Sequence, residues 1–323
     1  MYDIIGDVHG CADELMGLLE RLGFQKLRGV YAHPTRQAIF VGDLIDRGPK
    51  IREVLALVRA MVDVGSARVV MGNHEYNALA YDTEDPKKPG TFLRPHSKEK
   101  VEQHRKTLEQ IPNEDEWRDH LAWFRTLPLW IDDEGLRIVH ACWDDAKMDI
   151  IRASLDRHGG MTTRFLAEAA DESTALYRAV EDVLKGKEVK LPEGGFFGDK
   201  GGARREEIRI RWFEPSAGRT FSDYALSVEG KISEEPLPKD LEIAGYEEGA
   251  PPVFVGHYWL RDKQPAPLMK NVACVDYSAV LGGKLCAYRW DGEATLSREN
   301  FVCVAGRRDG GLKACQETFR GGT

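Results

Sequence analysis

The sequence predicts an α/β fold built on a parallel sheet, and three observations support this prediction. First, one pattern occurs three times in the first 75 residues: a short β-branched, apolar run stops at a glycine followed by a polar residue. Second, the segments between these runs carry apolar residues at helical spacing. Third, the 323 residues are 42% hydrophobic and 30% charged, which is ordinary for a globular protein with a sizeable core. The alternation of strands and helices is typical of right-handed crossovers in one sheet.

The repeated pattern places three strands and two helices in order. The strands are expected at residues 2 to 5, 38 to 41 and 68 to 71, where they run into Gly6-Asp7, Gly42-Asp43 and Gly72-Asn73. Regular leucine spacing predicts the first helix up to Leu22, and residues 51 to 62 predict the second. Ligands of such sheets bind outside the carboxyl ends of the strands, so we expect the functional site there.

The later elements follow the same reasoning. We expect a loop from Tyr81 to Ser97, followed by amphipathic helices near 98 to 110 and 114 to 126. A largely helical stretch is expected at 145 to 190, and a glycine-rich loop at 194 to 202. Strands are expected at 136 to 139, 208 to 212, 253 to 257, 272 to 277 and 284 to 290, and a frayed tail is expected from about 307.

Charge and composition exclude several classes of protein. The 45 lysines and arginines against 53 aspartates and glutamates give a net charge of −8, so we expect neither an extended nucleic-acid surface nor binding to an anionic membrane. No apolar run is long enough to span a bilayer, and no secretory signal opens the chain, so the expected compartment is the cytoplasm. The six scattered cysteines form no CxxC pair and are expected to be small core residues.

Polar residues able to bind metals follow most of the predicted strands. They are Asp7, His9, Asp43, Asn73, His140 and His257. Carboxylate and imidazole together suit divalent ions such as manganese, iron or zinc. Because these residues exceed the needs of one ion, the pattern favours two ions that share a carboxylate, an arrangement suited to displacement at phosphorus.

These motifs resemble the phosphoprotein-phosphatase branch of the calcineurin-like metallophosphoesterases, a branch that includes bacterial serine/threonine phosphatases and symmetrical dinucleoside tetraphosphatases. The resemblance rests on Gly6-Asp7-Val8-His9-Gly10, Gly42-Asp43-Leu44-Ile45-Asp46-Arg47-Gly48, Gly72-Asn73-His74-Glu75, His140-Ala141 and Gly256-His257. It covers residues 1 to 141 and 253 to 290. It implies a two-sheet α/β/β/α sandwich that forms one domain over residues 1 to 323. Within this domain, residues 142 to 250 would form a partly helical cap, and residues 307 to 323 would form a C-terminal tail.

The resemblance also implies a role for each matched residue. Asp7, His9 and Asp43 would hold the first metal, and the bridging Asp43 with Asn73, His140 and His257 would hold the second. A hydroxide between the ions would attack phosphorus. His74, oriented by Asp46, would protonate the leaving oxygen as general acid, and Arg47 would bind phosphate oxygens.

Two further residues are expected on weaker patterns. The family supplies a second phosphate-binding arginine between the two late histidines, and Arg211, then Arg209, are the candidates because both should share one face of the strand at 208 to 212. Asp276 resembles the family's late aspartate and would orient a ligand histidine, although Tyr277-Ser278 replaces the usual Thr-Gly.

Ordinary structural roles are expected for the remaining histidines, and aromatic residues near the motifs allow two interpretations. We expect solvated side chains for the histidines at 33, 96, 104, 120 and 158. Four aromatic residues follow proposed site residues and could stack on a nucleobase, although core packing explains them at least as well. They are Trp143, Trp212, Tyr258 and Trp259.

The predicted function is that of a phosphatase with two divalent metal ions, manganese being favoured and iron, zinc, cobalt or magnesium possible. The expected substrate is a phosphomonoester on a small molecule, a nucleotide or a phosphoprotein, including phosphoserine or phosphothreonine. One alternative is a dinucleoside polyphosphate hydrolase. Another alternative, from a different class, is an inactive binding protein that keeps the fold. In such a protein the metal-ligand and general-acid residues would be replaced, whereas all of them are present here.

Overall fold

The computed structural model describes residues 1 to 133, 135 to 192, 194 to 198, 204 to 228, 230 and 232 to 307. The α-helices, numbered along the chain, are α1 Ala12–Leu22, α2 Ile51–Asp63, α3 Asn73–Asp82, α4 Lys98–Gln110, α5 Glu114–Phe124, α6 Asp145–His158, α7 Thr163–Ala169, α8 Ala175–Lys185 and α9 Phe221–Tyr224. The strands are β1 Tyr2–Ile5, β2 Gln25–Leu27, β3 Val30–Ala32, β4 Gln37–Phe40, β5 Ala67–Val69, β6 Trp130–Asp133, β7 Leu136–Val139, β8 Glu188–Lys190, β9 Phe197–Gly198, β10 Arg204–Arg205, β11 Glu207–Arg209, β12 Val253–Val255, β13 Val272–Cys274, β14 Asp276–Tyr277, β15 Lys284–Trp290 and β16 Phe301–Ala305.

Two mixed sheets form the centre of the molecule. In the first sheet the strand order is β14, β15, β1, β4, β5, and β16 pairs with β15. Strands β1, β4 and β5 are parallel, with Tyr2 opposite Gln37 and Ala38 opposite Ala67, whereas β15 runs antiparallel to β1. The second sheet has the order β13, β12, β7, β6, in which β7, β12 and β13 are parallel. The parallel strands bring their carboxyl ends to one edge of each sheet.

The two sheets pack against each other through an apolar layer. Ile4, Ile39 and Val70 from the first sheet belong to one buried cluster with Ile138 and Phe254 from the second. Helices cover the outer faces: the apolar sides of α1 and α2, represented by Leu15 and Val54, join the larger buried cluster. This α/β/β/α arrangement confirms the predicted fold class.

Residues 142 to 250 contain α6 to α9 and β8 to β11. Helix α8 docks on the end of β7, where the amides of Ala141 and Cys142 donate to the Val183 carbonyl. Further along, Ile208 and Tyr224 belong to a small buried cluster of their own, separate from the two clusters around the sheets. The later part of this segment therefore has a small core of its own, whereas α6 to α8 pack into the larger cluster.

The predicted elements agree with the structure closely where periodicity was strong. Helix α4 has the predicted bounds, and α5 ends two residues earlier than expected. Two cysteines depart from the expectation, because Cys286 and Cys303 face each other on β15 and β16 and form a disulfide. Cys11, Cys142 and Cys274 are free and buried as expected. Cys315 and the predicted tail beyond Arg307 lie outside the described residues, as do 199 to 203 of the glycine-rich loop. Within the described part of the chain, no helix has both the length and the apolar character needed to cross a membrane.

Candidate active site

The six predicted metal ligands come together at the carboxyl ends of five parallel strands. Asp7 and His9 follow β1, Asp43 follows β4 and Asn73 lies beyond β5, while His140 follows β7 and His257 follows β12. All six side chains are buried, with exposed fractions of 8% or less. A cluster of carboxylates and imidazoles with so little access to water needs compensating charge.

The loops that carry these residues have unusual backbone conformations. His9, Asp43, Asp46, Arg47 and His257 all have positive φ angles, between 43° and 69°. Such conformations cost of order 1 to 3 kcal/mol each in non-glycine residues and concentrate at functional sites. Gly42 permits the close approach of two of these loops, because a Cβ there would lie 2.4 Å from the Gly72 amide nitrogen.

One group of candidate ligand atoms is formed by His9, Asp43 and His74. His9 donates from Nδ1 to the Ile45 carbonyl at 2.8 Å, so its Nε2 carries a lone pair. That Nε2 lies 3.4 Å from Asp43 Oδ2 and has no hydrogen-bond partner among the described residues. Two acceptors that face each other at this distance are typical of ligands around a cation.

The second group is formed by Asp43, His140 and His257. His140 donates from Nδ1 to the Val41 carbonyl at 2.7 Å, which turns Nε2 toward Asn73 Oδ1 at 3.0 Å and Asp43 Oδ2 at 3.4 Å. His257 Nδ1 lies 2.8 Å from the same Asn73 oxygen. Asp43 thus borders both groups, as expected for a carboxylate that bridges two ions.

Asp7 lies beside these groups and not within them, since its carboxylate accepts from the His257 amide at 3.0 Å. Burial, and then the neighbouring carboxylate of Asp276, raise the pKa of Asp7 well above its ordinary value. Burial would also raise the pKa of Asp43, but His140 and the other histidines outweigh it and hold that pKa well below the usual range. Burial lowers the pKa of His9 to about 3. His9 is therefore neutral, as a histidine that binds a metal must be.

His74 and Asp46 form the predicted pair, and a third residue joins them. His74 Nδ1 donates to Asp46 Oδ2 at 2.5 Å. His104, on α4, donates from Nδ1 to the other oxygen, Oδ1, at 2.7 Å, and the Thr107 hydroxyl donates to Oδ1 as well. Although burial opposes it, these hydrogen bonds from His104 and His74 lower the pKa of Asp46. The expectation of a solvated side chain is wrong for His104, which is buried against Asp46, and for His120, which is buried on α5.

Glu75 is a second residue whose role the sequence did not reveal. Its carboxylate is fully buried and accepts from the amides of Asp43, Leu44, Ile45 and Gly72 at 2.8 to 3.3 Å. Burial, and then the Asp43 carboxylate, raise its pKa. The hydrogen bonds of the Glu75 carboxylate therefore connect the start of α3 to the loop that carries Asp43.

Arg47 lies at the edge of the six candidate metal ligands, which together are called the ligand cluster. Its guanidinium stacks on the Trp259 ring, with Cζ 4.0 Å from the ring centroid, and its Nη2 donates to His74 Nε2 at 3.1 Å. Asp276 supports the loop beneath Trp259: its carboxylate accepts from the amides of Trp259 at 2.6 Å and Ser278 at 2.9 Å. These bonds connect Asp276 to the backbone that follows His257, and its role in orienting a ligand histidine stays a prediction.

Of the two candidate arginines, the structure places Arg209 at the site. Arg209 lines the cleft beside the cluster, and burial, followed by the Arg209 charge, holds the pKa of His257 well below its usual range. Arg211 is not among the described residues that line this cleft, and it pairs with Glu214 at 3.3 Å. The predicted strand ends at Arg209, and the chain turns where the Trp212 amide bonds to the Ile210 carbonyl, so the two arginines do not share a face.

Three of the four aromatic residues considered for stacking on a nucleobase pack in the core instead. Trp212 donates from Nε1 to the Tyr258 hydroxyl at 3.0 Å, and that hydroxyl donates to the Ala141 carbonyl at 2.9 Å. Trp143 is likewise buried. Trp259, which stacks on Arg47, presents its ring to the cleft.

A cleft of about 960 Å³ extends outward from the ligand cluster. Its inner end contains Asp43, Asn73, His74 and His257. Its outer walls come from the residues before and within α4 and from the segment between α8 and β11. The volume of the cleft is therefore much larger than a single phosphate group requires.

Comparison with known proteins agrees with this geometry. A sequence model described as calcineurin-like phosphoesterase matches residues 2 to 222. The chain belongs to the calcineurin-like phosphoesterase family. Members of this family use a dinuclear metal centre, and the two groups of ligand atoms around Asp43 are the candidates for it here. The chain is accordingly a metallophosphoesterase, and hence a hydrolase.

Individual relatives carry related names. A symmetrical bis(5'-nucleosyl)-tetraphosphatase of Klebsiella pneumoniae is 28% identical over 300 residues, which cover 89% of this chain and 90% of the relative. An asymmetrical bis(5'-nucleosyl)-tetraphosphatase of Halalkalibacterium halodurans is 57% identical over 74 residues, and the match spans only 30% of that relative's length. A solved protein-tyrosine phosphatase from a psychrophilic Shewanella shares the fold, with a TM-score of 0.50 at 17% identity over 95% of this chain and 80% of that one.

Proposed function

We propose that this family member hydrolyses the phosphoanhydride chain of a dinucleoside polyphosphate. The observation that carries the proposal is the cleft of about 960 Å³, which is lined both by candidate metal ligands and by a series of basic side chains. A substrate with one phosphate would use only its inner end. The names of relatives aligned over about nine-tenths of the chain support the same substrate class. Hydrolysis of a simple phosphomonoester remains the alternative that the experiment below tests.

The residues present fit two divalent ions. His9 Nε2 carries a buried lone pair 3.4 Å from Asp43 Oδ2, and His257 Nε2 is buried with no hydrogen-bond partner among the described residues, so a cation between these groups would give both nitrogens a partner. In this proposal Asp7, His9 and Asp43 hold one ion, while Asp43, Asn73, His140 and His257 hold the other. When bound, the ions supply Lewis-acid polarisation of the phosphate and an activated water, and manganese is the ion we would test first.

The protein's own groups handle the leaving oxygen and the phosphate charge. Asp46 fixes His74 through Nδ1, which leaves Nε2 facing the cleft as the atom that carries the proton to the leaving group. Arg47 presently donates to that Nε2, so binding of a phosphate that attracts the guanidinium would also release His74. Arg209 provides the second cation beside the reacting phosphate, and residues 142 to 250 act as the cap that shapes the cleft.

The test is metal-dependent turnover of three substrates in parallel: diadenosine tetraphosphate, a phosphothreonine peptide and p-nitrophenyl phosphate. Metal-stripped protein should be inactive, and added manganese should restore turnover with the tetraphosphate preferred. Chromatography of the products distinguishes symmetrical cleavage into two ADP from asymmetrical cleavage into ATP and AMP. Preference for the peptide, or hydrolysis of p-nitrophenyl phosphate without any hydrolysis of the tetraphosphate, would overturn the proposed substrate.

A further inference from the structure

The outer part of the cleft gathers cations from four separate elements. We define the outer cation cluster as Arg94, Lys100, Lys185 and Arg205, which lie before α4, on α4, at the end of α8 and on β10. All four line the same cleft as His74 and His257. They are not among the residues matched to the family's catalytic motifs, so the chemistry at the metal ligands does not account for them.

The hydrogen bonds of Arg94 hold its side chain without neutralising it. Its Nη1 donates to Asn77 Oδ1 at 3.0 Å and its Nη2 to Gln103 Oε1 at 2.9 Å, and both acceptors are uncharged amides. The two lysines of the cluster differ from Arg94, because each has an acidic neighbour: Lys185 pairs with Glu181, and Lys100 lies 3.7 Å from Glu99. A fixed guanidinium held by neutral partners keeps its charge available to an anion.

The other three members of the cluster all act on Lys100. Burial, and then the Arg94 charge, lower the pKa of Lys100; Glu99 opposes this shift, and Lys185 and Arg205 add to it. Repulsion of this kind disfavours the free protein and is relieved when an anion binds between the cations. The arrangement is therefore better suited to the bound state than to the free one.

The surrounding carboxylates do not cancel the positive charge. Beyond Arg47, Asp43 and Asp46 at the inner end, the described lining contains six cations and four carboxylates. The cations are Arg94, Lys100, Lys185, Lys190, Arg205 and Arg209, and the carboxylates are Glu181, Glu188, Glu206 and Glu207. A local excess of two positive charges in a chain of net charge −8 concentrates attraction for anions in this cleft.

We propose that the outer cation cluster is a distal phosphate subsite, which binds phosphate groups of a linear polyphosphate chain beyond the phosphorus under attack. This inference rests on the proposed function and names the part of the substrate that the outer cleft holds. A phosphopeptide does not satisfy the cluster, because its single phosphate is taken up by the ligand groups, Arg47 and Arg209. A polyphosphate chain carries negative charge along its length and reaches both ends of the cleft.

The experiment compares two inhibitors of p-nitrophenyl phosphate turnover by the manganese-loaded, full-length protein at constant free manganese. Orthophosphate occupies the inner end alone, whereas inorganic tripolyphosphate reaches the outer cluster. In Lys100→Gln the inhibition constant for tripolyphosphate should rise about tenfold, as expected for one charge-assisted hydrogen bond, and it should rise further in Lys100→Gln with Lys185→Gln. The constant for orthophosphate should stay within about twofold of that of the unchanged protein.

Lys98→Gln is the matched control, because Lys98 is exposed on the same helix and is not among the described residues that line the cleft. It should leave both constants unchanged. Equal shifts of both constants in Lys100→Gln, or no shift in either variant, would overturn the subsite.

The failure of this inference is distinct from the failure of the proposed function. If the unchanged protein does not cleave diadenosine tetraphosphate, but tripolyphosphate inhibition still depends on Lys100, the subsite stands and the dinucleoside substrate is wrong. If the tetraphosphate is cleaved and neither variant alters tripolyphosphate inhibition, the proposed function stands and the subsite is wrong.

Discussion

His104 donates a hydrogen bond from Nδ1 to Asp46 Oδ1 at 2.7 Å, on the side of the carboxylate opposite His74. The two histidines thus share one aspartate, which is buried and also accepts from Thr107. A carboxylate fixed at both oxygens cannot rotate, and so its Oδ2 remains directed at His74. This connection links α4, which also lines the cleft, to the proposed proton donor.

Replacement of His104 should therefore impair leaving-group protonation. We expect His104→Phe to lower kcat for an alkyl phosphoester, whose leaving oxygen is strongly basic, by about tenfold, in line with other residues that orient a catalytic group. Turnover of p-nitrophenyl phosphate, whose leaving group needs little protonation, should change much less. His120→Phe is the matched control, because His120 is also buried but lies on α5 away from Asp46. Equal loss on both substrates would indicate a structural role for His104.

Replacement of His74 tests the general acid directly. His74→Asn should slow an alkyl phosphoester by roughly 10²-fold or more, and should scarcely slow p-nitrophenyl phosphate. Steady-state kinetics with a series of leaving groups measures this difference as the slope of log kcat against leaving-group pKa. A slope identical to that of the unchanged protein would remove His74 from this role.

Arg47 should stabilise the charge that develops on the phosphate oxygens. We expect Arg47→Ala to cost on the order of 2 to 4 kcal/mol in transition-state stabilisation, measured as kcat/KM. Arg47→Lys should recover little of this loss, because an ammonium group cannot replace a planar guanidinium stacked on Trp259. Full activity in the lysine variant would show that charge alone is sufficient.

Glu75 should matter chiefly for stability. Glu75→Gln replaces one acceptor oxygen by an amide group that faces backbone N–H donors of the Asp43 loop, so we expect a loss of about 3 kcal/mol in the free energy of unfolding. Urea denaturation of the metal-free protein measures it. Glu53→Gln, at an exposed position on α2, serves as the control and should be neutral. A similar small effect in both variants would contradict the assigned contacts.

Metal removal should reduce both activity and stability. A chelator should abolish turnover and lower Tm, and manganese at about 100 times its Kd should restore about 2.7 kcal/mol of stability, since the ions bind only the folded state. His140→Asn, which removes a proposed ligand, should show a smaller gain in Tm on metal addition. An unchanged Tm of the parent protein with and without metal would argue against a bound centre.

Local patterns in the sequence were sufficient to predict which candidate ligands meet at the sheet edge. Asp7, Asp43 and Asn73 each follow a short apolar run and a glycine, and parallel strands necessarily bring their ends to one edge. The pairing of Asp46 with His74 was also predictable, because both lie within motifs next to these ends. Sequence and structure agree here because the strand direction alone determines which residues meet.

Only the tertiary structure decided the positions of His104, Arg209 and Arg94. Helix α4 has just two apolar residues, Val101 and Leu108, and Val101 is itself exposed, so the amphipathic pattern expected there did not show that His104 is buried. Arg209 rather than Arg211 reaches the cleft because the strand ends one residue before the chain turns, a feature that side-chain alternation does not record. The sequence by itself thus determined the fold class and the residues at the strand ends. The outer cleft, by contrast, is formed by segments that are distant from one another in the sequence. Their contacts depend on how whole elements pack and not on local residue spacing.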